Sequence, residues 1–321
     1  MKLFDLHCDT AGVCFDNKIS LNDESLHLNL RKGKCLDEWV QVFAIWISDE
    51  LRGKAAENYF DGAYKKLTAE ISKNYKKIKL CKDSKDVVQA AESKKCAAIM
   101  ACEGGSAFCN PERIALAKEY GVKLITLTWD GENELGFGAQ SGSENGLKPL
   151  GKTVLREMKR QNIVADVSHL NRAGFYDAVS SGAKVIASHS NCKTVLEKTM
   201  NDGAEKEFAC KRSLDDEQIR ILCECGSLVG INFCRYYLGN RGDDGFEAVY
   251  RHIAHLLDLG GENIIALGSD FDGCEINPEL AGIDKMTALY SFLLGKGLDN
   301  TLIDKIFYNN SMNFFKNILQ N

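Results

Sequence analysis

The stretch Lys2–Thr10, KLFDLHCDT, decides the reading of this chain. Residues 2–6 make a short apolar β run, and the run ends in His7 and Asp9, two metal-capable side chains one residue apart. In a strand, positions i and i+2 project to the same side. One imidazole and one carboxylate therefore leave a strand end together, a donor pair suited to a hard or borderline divalent cation. Cys8, between them, is expected to point to the opposite side.

Seven further runs share the character of the first: Val40–Ile47, Cys96–Cys102, Lys123–Trp129, Ile163–His169, Lys184–His189, Ser227–Phe233 and Asn263–Phe271. Most are nearly continuous in hydrophobicity, as strands buried on both faces are. Amphipathic stretches lie between them. The segment 55–77 follows the second run. PERIALAKEYG follows the third, with Pro111 near a helix start and Gly121 at its end. NRAGFYDAVSSG follows the fifth, with Asn171 placed as an N-cap. LDDEQIRILCECG follows the sixth, with carboxylates in its first turn where the helix dipole favours them, and GFEAVYRHIAHLLDLGG follows the seventh. Eight strand–helix units predict an α/β fold, a (β/α)8 TIM barrel of the metal-dependent hydrolase type. The alternative is a doubly wound open sheet, but no G-x-G-x-x-G opens a helix after the first strand, which weakens a dinucleotide-binding version of it. The segment between Thr10 and Glu38 has no clean periodicity and reads as a long loop on the active-site side of the barrel.

Bulk properties narrow the function. The 321 residues contain only three prolines and no Ser/Gly/Pro linker, so residues 1–321 read as one barrel domain. A net charge of −5 leaves no basic footprint for nucleic acid. No apolar run reaches the roughly 20 residues of a membrane span, and no basic start precedes an apolar leader. The thirteen cysteines follow no disulfide spacing and several sit inside apolar runs, which fits a reducing cytoplasm. A homodimer is the default assembly.

The chemistry-capable residues fall at the C-terminal ends of the runs, where barrel enzymes build their sites. They are His7 and Asp9 in the first, Glu103 in ACEGG, His169 in DVSHL, His189 in IASHSN and Asp270 in GSDFDG. Each alone has an ordinary reading as a turn carboxylate or a helix-capping histidine; jointly they point to a site. His252 and His255, three apart on one helix face, read as solvent-facing or packed against a strand, and His27 has no evident partner. A single catalytic zinc takes three protein ligands and an open position. Three histidines and two carboxylates, one able to bridge, fit two ions roughly 3.5–4 Å apart. Water held between such ions is acidic enough to be hydroxide near neutrality, a nucleophile for amides or esters. Asp270 then remains free to shuttle the proton to the leaving amine.

These motifs, H-x-D, E-G-G, D-V-S-H, S-H-S-N and S-D-F-D-G, occurring in that order from Phe4 to Gly273, resemble the membrane (renal-type) dipeptidase family of zinc enzymes. The resemblance implies that His7 and Asp9 bind the first zinc, His169 and His189 the second, that Glu103 bridges both, and that Asp270 is the acid/base residue. It implies dipeptides as substrates. It also implies an arginine for the substrate's C-terminal carboxylate, and the matching segment KRSLDDEQI makes Arg212 that residue; a guanidinium grips a carboxylate bidentately. Three departures stand out, one of them the missing leader and anchor, which imply a soluble, intracellular microbial version of the family. The segment between His189 and Arg212 is longer than the family's, and Trp129 occupies the position of a substrate-contacting histidine in the animal enzymes. An indole cannot act as a base, though its N–H donates a hydrogen bond; Asn133 is a candidate for supplying the missing contact. The expectation is a two-zinc dipeptidase, with an enzyme acting on a non-peptide amide, lactone or ester as the alternative on the same scaffold. A metal-binding scaffold without catalysis is the third reading, and the presence of all five ligands and the acid speaks against it.

Overall fold

Nine parallel strands form the framework of the computed structural model, which describes residues 1–320. They are β1 (Lys2–Cys8), β2 (Glu38–Trp46), β3 (Ile78–Leu80), β4 (Cys96–Glu103), β5 (Val122–Thr126), β6 (Val164–Asp166), β7 (Val185–Ile186), β8 (Val229–Ile231) and β9 (Ile265–Leu267). The order β7-β6-β5-β4-β2-β1-β9-β8 runs almost round a circle, and β3 pairs with β4 outside it. Closure comes from a single parallel bridge between Ala187 and Val229, with Ala187 N–H donating to Leu228 O at 2.9 Å and Gly230 N–H to Ala187 O at 2.8 Å. Gly230 and Gly268 both lie against the Ser188 carbonyl so closely that a Cβ on either would overlap it. The eight barrel strands are those the sequence predicts. Ile78–Leu80 is an addition, because its three residues follow a long helix and carry too little pattern to be seen.

Side chains alternate between two apolar layers. Phe4, Leu6, Val40, Val42, Ala97, Ile99, Leu124, Val164, Ile186 and Ala266 fill the barrel interior. Cys96, Ala98, Met100, Cys102 and their counterparts face the helices. The helix Asn310–Ile318 plugs the end opposite the site, with the Phe315 ring 5.2 Å from that of Phe4.

The predicted helices form with the expected ends. Pro111–Tyr120 stops at Gly121 in the left-handed region (φ 81°). Asn171 Oδ1 accepts from Gly174 N–H and starts Arg172–Ser180, and Asp215 and Gln218 make a reciprocal capping box for Asp216–Glu224. The Thr10–Glu38 segment is not a bare loop: it holds a helix, Thr10–Asp16, and a 3-10 turn, Lys32–Cys35. Each is too short for periodicity to register. His27 also differs from expectation, since its N–H donates to Asp272 Oδ1 at 2.6 Å and its Nδ1 accepts from Asp272 N–H at 3.1 Å. Asp272 thus ties this segment to the turn after β9. All thirteen cysteines are free thiols.

Candidate metal centre and active site

Alternation alone does not bring His7 into the barrel. Phe4 and Leu6 already face inward, so an unbroken strand would send His7 out among the helices. The register resolves this. Asp5 pairs with Gln41 but Cys8 pairs with Phe43, so β1 carries one extra residue between them. This β-bulge sets two β1 residues against Val42 and restores the phase, turning His7 and Asp9 inward and Cys8 outward. Glu103 needs no such device, because it continues the inward series Ala97, Ile99, Ala101. His169 and Asp270 take a third route. Both are non-glycine residues in the left-handed region, at φ 66° and 61°, a conformation uncommon outside glycine that clusters at functional sites.

The five predicted ligands meet at the C-terminal mouth. His7 Nε2 lies 3.4 Å from Asp9 Oδ2 and 3.4 Å from Glu103 Oε2. His169 Nε2 lies 2.8 Å from Glu103 Oε1 and 2.9 Å from His189 Nε2, which is itself 3.2 Å from Glu103 Oε1. The two oxygens of Glu103 thus face different imidazoles, Oε2 towards His7 and Oε1 towards His169 and His189, although the His7 and His189 rings lie only 3.8 Å apart between centroids. Ligands about 2.1 Å from a tetrahedral ion stand about 3.4 Å apart, so both groups have roughly the spacing such an ion requires. Asp270 Oδ1 stands 3.9 Å from His7 Nε2, at the edge of the first group.

Electrostatics support a cation. Burial raises the Asp9 pKa and the Glu103 charge adds to it, to about 7 despite His7. Burial also works against a charge on Glu103, but His7 and hydrogen bonds from the three imidazoles hold it well below its ordinary value. Burial and the neighbouring His7 push His189 well below the usual imidazole range. His7 Nδ1 and Asp9 Oδ1 are buried without a hydrogen-bond partner. Despite burial, Glu103 and Asp9 hold His7 well above the usual imidazole range and Asp130 holds His169 above it, so a divalent metal would replace protons as the positive charge among these packed groups.

An outer ring of hydrogen bonds orients the donors. His169 Nδ1–H donates to Asp130 Oδ1 at 2.7 Å, which leaves Nε2 to face Glu103. His189 Nδ1–H meets Ser188 Oγ at 2.7 Å, and Ser188 Oγ–H donates to Asp166 Oδ2 at 2.6 Å. Thr126 Oγ–H reaches the same carboxylate at 2.6 Å. Such partners fix the tautomer and orientation of a metal-binding imidazole. Asp130, Asp166 and Ser188 are not among the residues the sequence singles out. Asp130 was the most visible of them, a carboxylate directly after the Lys123–Trp129 run.

A cavity of ≈ 610 Å³ opens onto Asp9, Glu103, His169 and Asp270, walled by Trp46 and Trp129 among other aromatics. Trp129 packs edge-on to Trp46 with ring centroids 5.0 Å apart. Trp46 Nε1–H is buried and has no partner. Asn133 does not reach the cavity. Its Nδ2 donates to Leu127 O at 2.8 Å and its Oδ1 accepts from Leu135 and Gly136 N–H, so the side chain is spent on shaping its own loop. Arg212 ends the helix Ala204–Arg212 and lies behind the cavity wall, its guanidinium 5.6 Å from the Tyr237 ring. It donates to Ser190 Oγ and His189 O, both at 3.0 Å, while its Nε–H is buried and unpaired. His252 is structural: its Nδ1 accepts from Cys192 N–H and its Nε2–H donates to Leu238 O. His255 pairs with Asp216 at 2.8 Å.

A closed parallel barrel with a His/carboxylate cluster at its C-terminal mouth defines a metal-dependent hydrolase. The chain belongs to the membrane dipeptidase family, peptidase family M19, whose model matches residues 1–321. It is accordingly a metal-dependent dipeptidase. Similar proteins include an uncharacterized protein encoded in the pqqA 5′ region of Klebsiella pneumoniae, 29% identical over 256 residues, 76% of this chain and 90% of that protein. Dipeptidase tcpJ of Claviceps purpurea is 25% identical over 236 residues, 72% of this chain and 53% of the fungal protein. A metallopeptidase of Rhodobacter sphaeroides, solved with a phosphinate mimic of the dipeptide L-Ala-D-Ala, superposes with a TM-score of 0.85 at 24% identity, covering 99% of this chain and 98% of its own. Despite the family's name, no helix among the described residues is long and apolar enough to cross a membrane.

Proposed function

We propose that the chain hydrolyses dipeptides with a free C-terminal carboxylate. In this reading His7 and Asp9 would hold one zinc ion, His169 and His189 would hold a second, and Glu103 would be shared between them. The division of the Glu103 carboxylate between two donor groups is the observation that supports this most directly. When bound, the ions supply Lewis-acid polarisation of the scissile carbonyl and a water acidic enough to attack near neutrality.

The remaining roles belong to the protein. Asp270 is held at the cluster's edge, where Asn232 Nδ2 donates to its Oδ2 at 3.1 Å. It takes the proton of the nucleophilic water and delivers it to the departing amine. Asp130 and the Ser188–Asp166 pair hold the tautomers of His169 and His189. Trp129 acts as an apolar wall, and the unpaired Trp46 Nε1–H is the donor on that side for a substrate oxygen. Arg212 is the cation suited in kind to the substrate carboxylate, but it stands behind Tyr237 with its terminal nitrogens on Ser190 Oγ and His189 O, so this role requires Tyr237 to move aside.

Turnover of a stereochemically complete dipeptide panel, with and without chelator and beside Asp270→Asn, tests the reading. Metal content of two equivalents, with turnover lost on chelation and at least 100-fold reduced in the variant, is expected. Undiminished turnover in Asp270→Asn would remove that carboxylate from the mechanism. Hydrolysis of lactones or esters in preference to dipeptides would favour the alternative substrate class.

A further inference from the structure

Asp270 belongs to two clusters. One is its contact with His7 and Asp9. The other joins it to Cys234 and Cys274, where a carboxylate oxygen and two Sγ atoms all lie within 4.8 Å of one another. The two thiols come from different loops. Cys234 follows β8, while Cys274 lies in the turn after β9, two residues past the left-handed Asp272. An antiparallel bridge between Cys234 and Ile276, with Arg235 N–H donating to Glu275 O at 3.0 Å, holds these loops side by side. Both cysteines border the same cavity as the nitrogen and oxygen donors, so an ion has a path in.

We propose that Cys234, Cys274 and Asp270 form a separate site for a soft divalent cation, zinc or cadmium, and that its occupation silences the enzyme by engaging Asp270. Two sulfurs on a tetrahedral zinc at about 2.3 Å stand about 3.8 Å apart, which the observed spacing accommodates with small side-chain shifts. Thiolate donors select zinc-like ions over magnesium or calcium. Binding releases the two thiol protons to solvent and forms two metal–sulfur bonds with no change of oxidation state. The silencing rests on the role assigned to Asp270 above, whereas the site itself does not.

The probe is cadmium ion, titrated into holoenzyme already carrying its resident metal. Sulfur-to-cadmium charge-transfer absorption and turnover are recorded together, for the native chain and for Cys234→Ser, Cys274→Ser and the exposed-thiol control Cys225→Ser. The native chain and Cys225→Ser are expected to take up one further equivalent at a common affinity, with absorption rising as turnover falls at least tenfold. Each of the other two variants should need at least tenfold more cadmium for both changes, measured against its own cadmium-free holoenzyme and with an unaltered circular dichroism spectrum. Equal absorption and equal inhibition in all four proteins would overturn the site. Absorption that depends on both cysteines without loss of turnover would uphold the site and overturn the acid/base role of Asp270.

Discussion

Gly273→Ala should disable the enzyme while leaving the barrel intact. The backbone of Gly273 packs directly on the Asp9 and Asp270 carboxylates, and a Cβ there would overlap Asp9 Oδ2 and Asp270 Oδ1. Real Cβ atoms essentially never come within 3.0 Å of another heavy atom, so each oxygen must withdraw by roughly half an ångström or more. The atoms displaced are the ends of two carboxylates, one placed on the metal and one on the proton. Misplacing reacting groups by about 1 Å costs on the order of 100-fold in rate, or about 2.7 kcal/mol in the barrier. The glycine is not in the left-handed region, so alanine adds no backbone strain. The expected result is a fall in kcat/KM of about 100-fold with a urea midpoint close to native and a weaker first metal equivalent. Gly242→Ala, where a Cβ meets nothing within 4 Å, is the control. Turnover within twofold of native in Gly273→Ala would refute the reasoning, because the carboxylates would then have been free to move without consequence.

Asp130→Asn removes the charge that orients His169, so metal affinity measured by chelator competition should weaken 10- to 100-fold; unchanged affinity would sink its supporting role. Arg212→Ala should raise KM for free dipeptides and matter little for C-terminally amidated ones; an equal effect on both would exclude a carboxylate clamp. Burial lowers His252 from 6.5 to about 4, so the unfolded chain takes up that proton first. The associated stability is fully present above about pH 6.5 and disappears as the pH falls to 4, a loss of about 3 kcal/mol. His252→Gln should therefore flatten the decline in urea midpoint between pH 7 and 4.5, and parallel declines in the two proteins would contradict it.

The sequence carried the eight barrel strands and the grouping of the five donors with Asp270, because continuous apolar runs and polar strand ends both survive in one dimension. Orientation was less legible. The i, i+2 rule relates His7 to Asp9 correctly, but it says nothing of the bulge that turns both inward, since a bulge is a property of the pairing with β2. The left-handed backbone at His169 and Asp270 is likewise imposed by the surroundings. Asn133 shows the opposite error. A polar residue just beyond a strand end has the look of a substrate contact, yet the turn through Leu135 and Gly136 claims its hydrogen bonds. The supporting groups Asp166 and Ser188 were hidden because they lie inside strand-like runs and become meaningful only when neighbouring strands place them together.

The lone bridge between Ala187 and Val229 makes this barrel a ring with a seam. His189 follows β7, and its proposed metal partners come from β4 and β6, all on the same side of that seam. On the other side of the join, Asn232 reaches Asp270. The clasp is therefore Asn191 and not the ion: Asn191 Nδ2 donates to Asn232 O at 2.9 Å and its Oδ1 accepts from Asn232 N–H at 3.1 Å, across the join. Asn191→Ala should quicken amide exchange first at Ala187 and Gly230, where the ring parts, whereas stripping the metal should leave exchange there unchanged.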